Sequence, residues 1–195
     1  ADFHRAAIIA CDGIVAFAGK LAAEAARLAQ TESDAERRAE LKEIERICAK
    51  VPFEPAGTFH EAVQSLWLSH MGVCLESINS AVSFGRIDQY LYPYFRDDLE
   101  AGSITPERAR ELLLCFSAKA TEHVFLLSER TSEYHGGYLV AQAAIVGGID
   151  EDGNDAVNDL TYIFLDVMEE SGLRDPNYQA RIHPGAPERY VLRAV

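Results

Sequence analysis

The chain has 195 residues, 48% of them hydrophobic, with a formal net charge of -13 and a pI near 4.8. That size and apolar content suffice for a buried core and argue against disorder, while the acidity repels nucleic acid and anionic membrane faces. No segment is read as reaching the roughly 18 to 20 apolar residues of a membrane span, and Ala1-Asp2-Phe3-His4-Arg5 lacks a signal peptide's layout, so a cytoplasmic protein is expected.

From Asp2 to about Ala29, Ile8, Ile9, Val15, Phe17, Leu21 and Leu28 stand among many alanines, which predicts a long, closely packed helix. Ser33-Asp34-Ala35-Glu36 has capping-box spacing and opens a second helix to about Cys48. Pro52 and Pro55 break the chain into a loop. Thr58-Phe59-His60-Glu61 repeats the box and opens a helix over 62–75 whose apolar residues lie nearly all round, so it should be buried on most sides. The segment 77–85 is rich in small residues and shows no helical period. Two helices follow, Ile87 to Leu99 and, after the Thr105-Pro106 start signal, Glu107 to about Leu127.

Beyond Ser128 the texture changes. A polar, glycine-containing run over 129–137 leads into Tyr138 to Val146, which reads as a strand buried on both faces. A helix is expected over Asp155 to Ser171, with Leu160, Phe164, Leu165 and Met168 on one side, and Tyr178 to His183 alternates as a second strand. Strand, helix and strand in that order predict a parallel crossover. The sequence stops at Val195 inside an expected helix, which reads as a piece of a longer polypeptide whose other strands complete the sheet.

Most chemical motifs fail on spacing. His60-Glu61 suggests a zinc helix, but Gln64 stands where the second imidazole is needed. His60 and His70 are about 15 Å apart along a helix and cannot share one metal. Asp150, Asp152 and Asn154 begin like a calcium loop, yet Asp155 and Thr161 occupy the positions that require glycine and glutamate, so a solvated turn capping the next helix is expected. Gly136-Gly137 and Gly147-Gly148 lack the spacing of a nucleotide loop. Cys11, Cys48, Cys74 and Cys115 show no CxxC spacing and are expected to be free, reduced and mostly buried. Polar residues gather at two junctions, Ser80, Ser83, Arg86 and Asp88 at one, and Tyr134, His135, Tyr138 and Gln142 at the other. Caps and turns account for such residues on backbone hydrogen bonding alone.

The wording of the chain goes further. Phe59-His60-Glu61-Ala62-Val63-Gln64, Glu76-Ser77 and Ser83-Phe84-Gly85-Arg86-Ile87-Asp88-Gln89-Tyr90-Leu91-Tyr92-Pro93-Tyr94 resemble the glycyl radical enzyme family of pyruvate formate-lyase in order and spacing. So do Val146 to Gly153, Asn158 to Tyr162 and Arg181-Ile182-His183, and the resemblance covers almost the whole chain. It implies an α/β fold, a mostly helical fragment of a ten-stranded β/α barrel. Residues 1–128 would supply mainly outer helices and 129–195 a strand-helix-strand segment. It also implies an organic radical of anaerobic metabolism, held on a glycine near the family's C-terminus and passed to a cysteine on a central loop. Neither an Arg-Val-Ser-Gly-Tyr-like nor a Gly-Cys-Val-Glu-like segment occurs here, so no catalytic residue is expected in the chain, no cofactor is bound by it, and it should be inert alone.

In that family the glycerol and propanediol dehydratases place a His-Ser pair where this chain has Ser80-Ala81, and those side chains bind substrate hydroxyls. Pyruvate formate-lyase has two small residues there, but its following helix does not resemble 88–94. The resemblance thus points to a radical lyase or dehydratase that cleaves a C-C, C-O, C-N or C-S bond of a small polar or aromatic acid-type substrate. Ser80, Ala81 and Tyr138 would line the pocket. It further implies an activating partner, an iron-sulfur protein using S-adenosylmethionine, and a homodimer; the charge, composition and motif spacing lead to no expectation of a nucleic acid, membrane or metal partner. The rival readings are pyruvate formate-lyase proper, a formate acetyltransferase, and a helical interaction module or degenerate paralogue without activity.

Overall fold

The computed structural model describes residues 2–76, 82–122, 128–134 and 142–195. The chain divides into two compact units, Ala1–Gly72 and Val73–Val195.

In the first unit α1 (Asp2–Thr31) folds back on α2 (Ala35–Lys50) through a three-residue turn. Ala18, Ala22, Ala25 and Ala29 recur at helical spacing and are buried, and such small side chains let two helix backbones approach closely. The other half of α1 departs from the expected close packing, since Phe3, Ile8 and Ile9 are exposed. By length and composition α1 also meets the criterion for a membrane span, with a mean hydropathy of 1.7, which corrects the expectation that no segment would. Ile8, Ile9, Ile14, Val15, Phe17 and Leu21 raise the hydropathy together with the many alanines.

Asp34, rather than Ser33, caps α2, its carboxylate accepting from Arg37 N at 2.8 Å. α3 (Phe59–Glu76) begins with Thr58, whose hydroxyl accepts from Glu61 N at 3.2 Å. The Glu61 carboxylate takes Gly57 N at 2.8 Å, one residue further back than an ordinary capping box, because Arg46 and Lys50 of α2 hold it at 2.7 and 2.6 Å. The expected burial of α3 holds at Phe59, Ala62, Val63, Leu68 and His70 but fails toward its end, where Val73 and Leu75 are exposed. At Gly72 α3 meets α1 so closely that a Cβ would come within 2.8 Å of Ile14 Cγ1.

The second unit is built on a three-stranded parallel sheet in the order β1 (Gly85–Arg86), β2 (Ala143–Gly147), β3 (Asn177–Arg181). Gly85 pairs with Ala144, and Ala144 in turn with Tyr178. The predicted crossover is present as β2, α7 (Asp159–Ser171) and β3. α7 begins four residues later than expected, because Asn158 and Thr161 form a reciprocal capping box, and it ends at Gly172 in the left-handed region, φ 55°. Its buried face is Leu160, Ile163, Phe164, Leu165 and Val167, while Met168 lies at the exposed margin.

β1 went unread in the sequence, since two residues are too few to show alternation. The expected strand over 138–146 is seen over Ala143–Gly147; Gln142 lies just ahead of it, and 138–141 lie outside the described residues. α4 (Ile87–Glu100) follows β1 directly and buries Ile87, Asp88, Leu91 and Phe95. α5 (Pro106–Glu122) buries Ala109, Leu112, Leu113, Phe116 and Ala120. A six-residue helix, α6 (Glu129–Tyr134), occupies part of the polar run, and α8 (Glu188–Ala194) closes the chain as predicted. Cys48 and Cys74 are buried, and burial pushes both thiols up; Cys11 and Cys115 are exposed, contrary to expectation.

Candidate functional site

A parallel sheet offers two edges, one where its strands begin and one where they end. At the beginning edge the polar side chains are consumed by the frame. Gln142 is fully buried and donates through Nε2 to Ala120 O of α5 at 2.9 Å. Thr121 donates to Asp175 O at 2.7 Å, and the Ser117 and Tyr178 hydroxyls share a hydrogen bond of 2.8 Å. Burial pushes the Tyr178 phenol up to about 12, so it stays protonated. Phe84 N donates to Ala143 O at 2.8 Å and Asn177 N to Gln142 O at 2.7 Å, so the ladder runs up to the points where the chain enters β1, β2 and β3. Ser80 and Ala81 precede β1 and Tyr138 precedes β2; all three lie outside the described residues, as does His135. Ser83 and Tyr134 are exposed.

The ending edge is closed by a buried polar network. Asp88, fully buried in the first turn of α4, accepts Gly147 N at 2.7 Å and the Thr161 hydroxyl at 2.6 Å on the same carboxylate oxygen. Its backbone carbonyl takes Asn158 Nδ2 at 3.3 Å, and Gln89 Nε2 donates to Ala156 O at 2.8 Å. One carboxylate thus ties the start of α4 to the end of β2 and to the capped start of α7. Burial pushes the Asp88 carboxyl up, and the amide of Gly147 and the hydroxyl of Thr161 pull it back. Arg86 donates through Nη2 to Gly147 O at 2.9 Å. Tyr190, fully buried on α8, donates to Val146 O at 3.1 Å and reaches Arg181 O at 3.4 Å, bridging the ends of β2 and β3. Burial pushes this phenol also to about 12.

Next to this network the turn over 150–154 folds on itself. Asp150 Oδ1 accepts Asp152 N at 3.0 Å and Asn154 N at 2.8 Å, using the carboxylate that a calcium loop would turn inward. The turn does not cap α7, a role taken by Asn158. His183 pairs with Asp155 at 2.9 Å, and its Nδ1 accepts Gly185 N at 3.2 Å, which leaves the ring proton on Nε2 facing the carboxylate. Among the described residues no group of three His, Cys, Asp or Glu side chains is arranged to hold a metal ion.

The junction residues Arg86, Asp88 and Gln142 therefore hold the frame through contacts distant in sequence, and not as the local caps and turns that were expected. Sequence reasoning missed that Gly147, Asn158, Thr161 and Tyr190 belong with them. The available signals were the glycine pair after a strand and the Asn-x-x-Thr box ahead of an apolar run.

All 195 residues, 1–195, match the family described as Pyruvate formate lyase-like. Isethionate sulfite-lyase of Nitratidesulfovibrio vulgaris is 42% identical over 191 residues, covering 97% of this chain and 23% of that protein. Trans-4-hydroxy-L-proline dehydratase of Clostridioides difficile is 35% identical over 196 residues, covering 97% and 24%. Among solved structures, a glycyl radical enzyme from Archaeoglobus fulgidus is similar with a TM-score of 0.89 at 41% identity, over 93% of this chain and 23% of that one. A structure concerned with 1,2-propanediol dehydration in Roseburia inulinivorans gives 0.93 at 37% identity, over 96% and 22%. The chain spans about a quarter of the length of these relatives.

Proposed function

The chain belongs to the pyruvate formate lyase-like family, and from that premise we propose that it supplies one wall of the substrate pocket in a glycyl radical lyase that breaks a C-S or C-O bond of a small polar substrate. Relatives 40 to 42% identical to it are isethionate sulfite-lyases, which makes a short hydroxyalkyl sulfonate the leading substrate class. The observation that carries the pocket is the register of the sheet. β1 and β2 are adjacent and parallel, with Gly85 opposite Ala144, so the described chain enters both strands at one edge of the sheet, and in sequence Ser80-Ala81 come before β1 and Tyr138 before β2. The opposite edge is already filled by Asp88, Arg86 and Tyr190.

In this reading the Ser80 hydroxyl and the Tyr138 phenol hydrogen-bond polar atoms of the substrate and fix its orientation, while Ala81 leaves room for a bulkier headgroup than a diol carries. The glycyl radical of the whole enzyme supplies hydrogen-atom abstraction. None of the 13 glycines and 4 cysteines of this chain has the sequence context that such chemistry uses in the family, so no radical step is assigned to its residues. An iron-sulfur activating enzyme that uses S-adenosylmethionine, a homodimeric assembly and a cytoplasmic setting complete the proposal.

The test is a substrate panel on the full-length protein, activated without oxygen and offered isethionate, trans-4-hydroxy-L-proline, 1,2-propanediol, or pyruvate with coenzyme A. Sulfite release from isethionate is the expected result. Turnover of hydroxyproline or propanediol alone would retain the radical lyase and replace the substrate. Acetyl transfer to coenzyme A would restore the formate acetyltransferase reading, and inactivity of fully radical-loaded enzyme on the whole panel would overturn the proposal.

A further inference from the structure

The two faces of the sheet are unlike. α5 and α7 cover the face that carries Tyr178, whose hydroxyl lies 2.8 Å from that of Ser117 and whose ring lies 5.8 Å from that of Phe164. On that side Ala144 and Val146 are fully buried, and Tyr178 and Ala180 half-buried. Side chains alternate along a strand, so the other face of β3 presents Asn177, Gln179 and Arg181, and all three are exposed. Beside them on β2, Ala143 and Ile145, the partners of Asn177 and Gln179 in the ladder, are half-buried. A parallel sheet with one face in water is unusual, because crossover connections ordinarily cover both. What lies against this face in the full-length protein meets two carboxamides and a guanidinium in a row, a surface that suits a polar ligand better than an apolar helix.

Asn177 is the member of this row at the edge where the chain enters the strands. It opens β3, its backbone N donates to Gln142 O, and it pairs with Ala143, the first residue of β2. Its Oδ1 accepts Gln179 Nε2 at 3.4 Å, and among the described residues its Nδ2 hydrogens have no acceptor. We propose that Asn177 is a substrate-binding residue of the wall begun by Ser80, Ala81 and Tyr138, its Nδ2 donating to an anionic oxygen of the substrate. This rests on the reading of that edge as the substrate pocket, and it extends the wall from two strands to three. A carboxamide N–H matches a sulfonate or carboxylate oxygen, and the uncharged group does not draw the pocket's anion into a pair too tight to release.

The test uses the full-length enzyme, activated without oxygen, with whichever anionic substrate among isethionate, trans-4-hydroxy-L-proline and pyruvate the native protein turns over. Asn177→Ala is expected to lower kcat/KM about tenfold, chiefly through KM, as loss of one hydrogen bond to bound substrate does. Asn177→Asp sets a negative charge against the anion and is expected to lower it further, to about a hundredfold below native. The melting temperatures should not move, because the side chain is exposed and makes one long hydrogen bond. A crystal structure with substrate should place Nδ2 within hydrogen-bond distance of a substrate oxygen. Native kcat/KM in both variants, or a segment of the same protein lying against Asn177 in that crystal, overturns this inference and leaves the pocket reading standing. Turnover confined to 1,2-propanediol removes the anionic oxygen and overturns it too. A native enzyme, fully radical-loaded yet inactive on every one of these substrates, overturns the pocket reading and this inference with it.

Discussion

The phenol ring of Tyr190 occupies the space that any side chain at Gly147 would need. A Cβ at Gly147 would stand 2.6 Å from Tyr190 Cζ and nearer still to its hydroxyl oxygen, and φ at this residue is 69°. Gly147→Ala therefore meets both backbone strain and a rigid buried ring, and should cost roughly 3 kcal/mol or more, read as a lowered melting temperature. Tyr190→Phe in the same protein does not rescue it, because Cζ remains in place. Recovery of native stability in that double variant would show that the hydroxyl alone causes the conflict.

Glu61 is the buried ionic link of the first unit, 1% exposed and held by Lys50, Arg46 and Gly57 N. Burial pushes its carboxyl up, but Lys50, Arg46 and the Gly57 amide outweigh this and bring it down to about 2 from an ordinary 4.5. A folded-state value below the unfolded one gives stability that is present above pH 4.5 and is lost as the pH falls toward 2. The link contributes about 2 to 3 kcal/mol at neutral pH, reduced from the ideal because both cations are part-exposed. Glu61→Gln should lower the melting temperature at pH 7 and narrow its difference from the native protein as the pH falls. A difference that does not change with pH would mean that shape, not charge, matters here.

Asp88 behaves in the opposite sense. Its folded-state carboxyl is raised above 3.8 by burial, against the pull of Gly147 N and Thr161. Folding thus favours the protonated form, and the contribution of Asp88 to stability declines as the pH rises through the interval between its ordinary and its raised value. Asp88→Asn, which keeps an acceptor for both donors, should remove that pH dependence at modest cost. Asp88→Ala strands the Gly147 amide and the Thr161 hydroxyl and should cost about 3 kcal/mol or more. Equal losses for the two variants at neutral pH would deny the network its importance.

Much of this frame was legible in the sequence because helix signals are local. The proline breaks, the Thr105-Pro106 start and the apolar face of α7 located their elements to within a few residues. What stayed hidden was decided by contacts distant in sequence. Gly85 and Arg86 become a strand only because Ala144 and Ile145 lie beside them. Ser33 gave way to Asp34 as the α2 cap, two suitable caps being adjacent in sequence and Asp34 having the extended backbone that the position needs. Asp88 carries no local mark of burial, since its partners Gly147 and Thr161 lie 59 and 73 residues away. The pocket residues were reached through family resemblance, not through periodicity or charge.

The central claim is that Ser80 and Tyr138 face a common substrate. Its most direct test is steady-state turnover of isethionate by the activated full-length enzyme, comparing Ser80→Ala and Tyr138→Phe with the native protein at equal radical content. The account predicts a loss in kcat/KM of about tenfold or more for each, with unchanged melting temperatures and a double variant whose loss falls short of the product of the two. Native kcat/KM in both single variants, with isethionate still turned over, would contradict it.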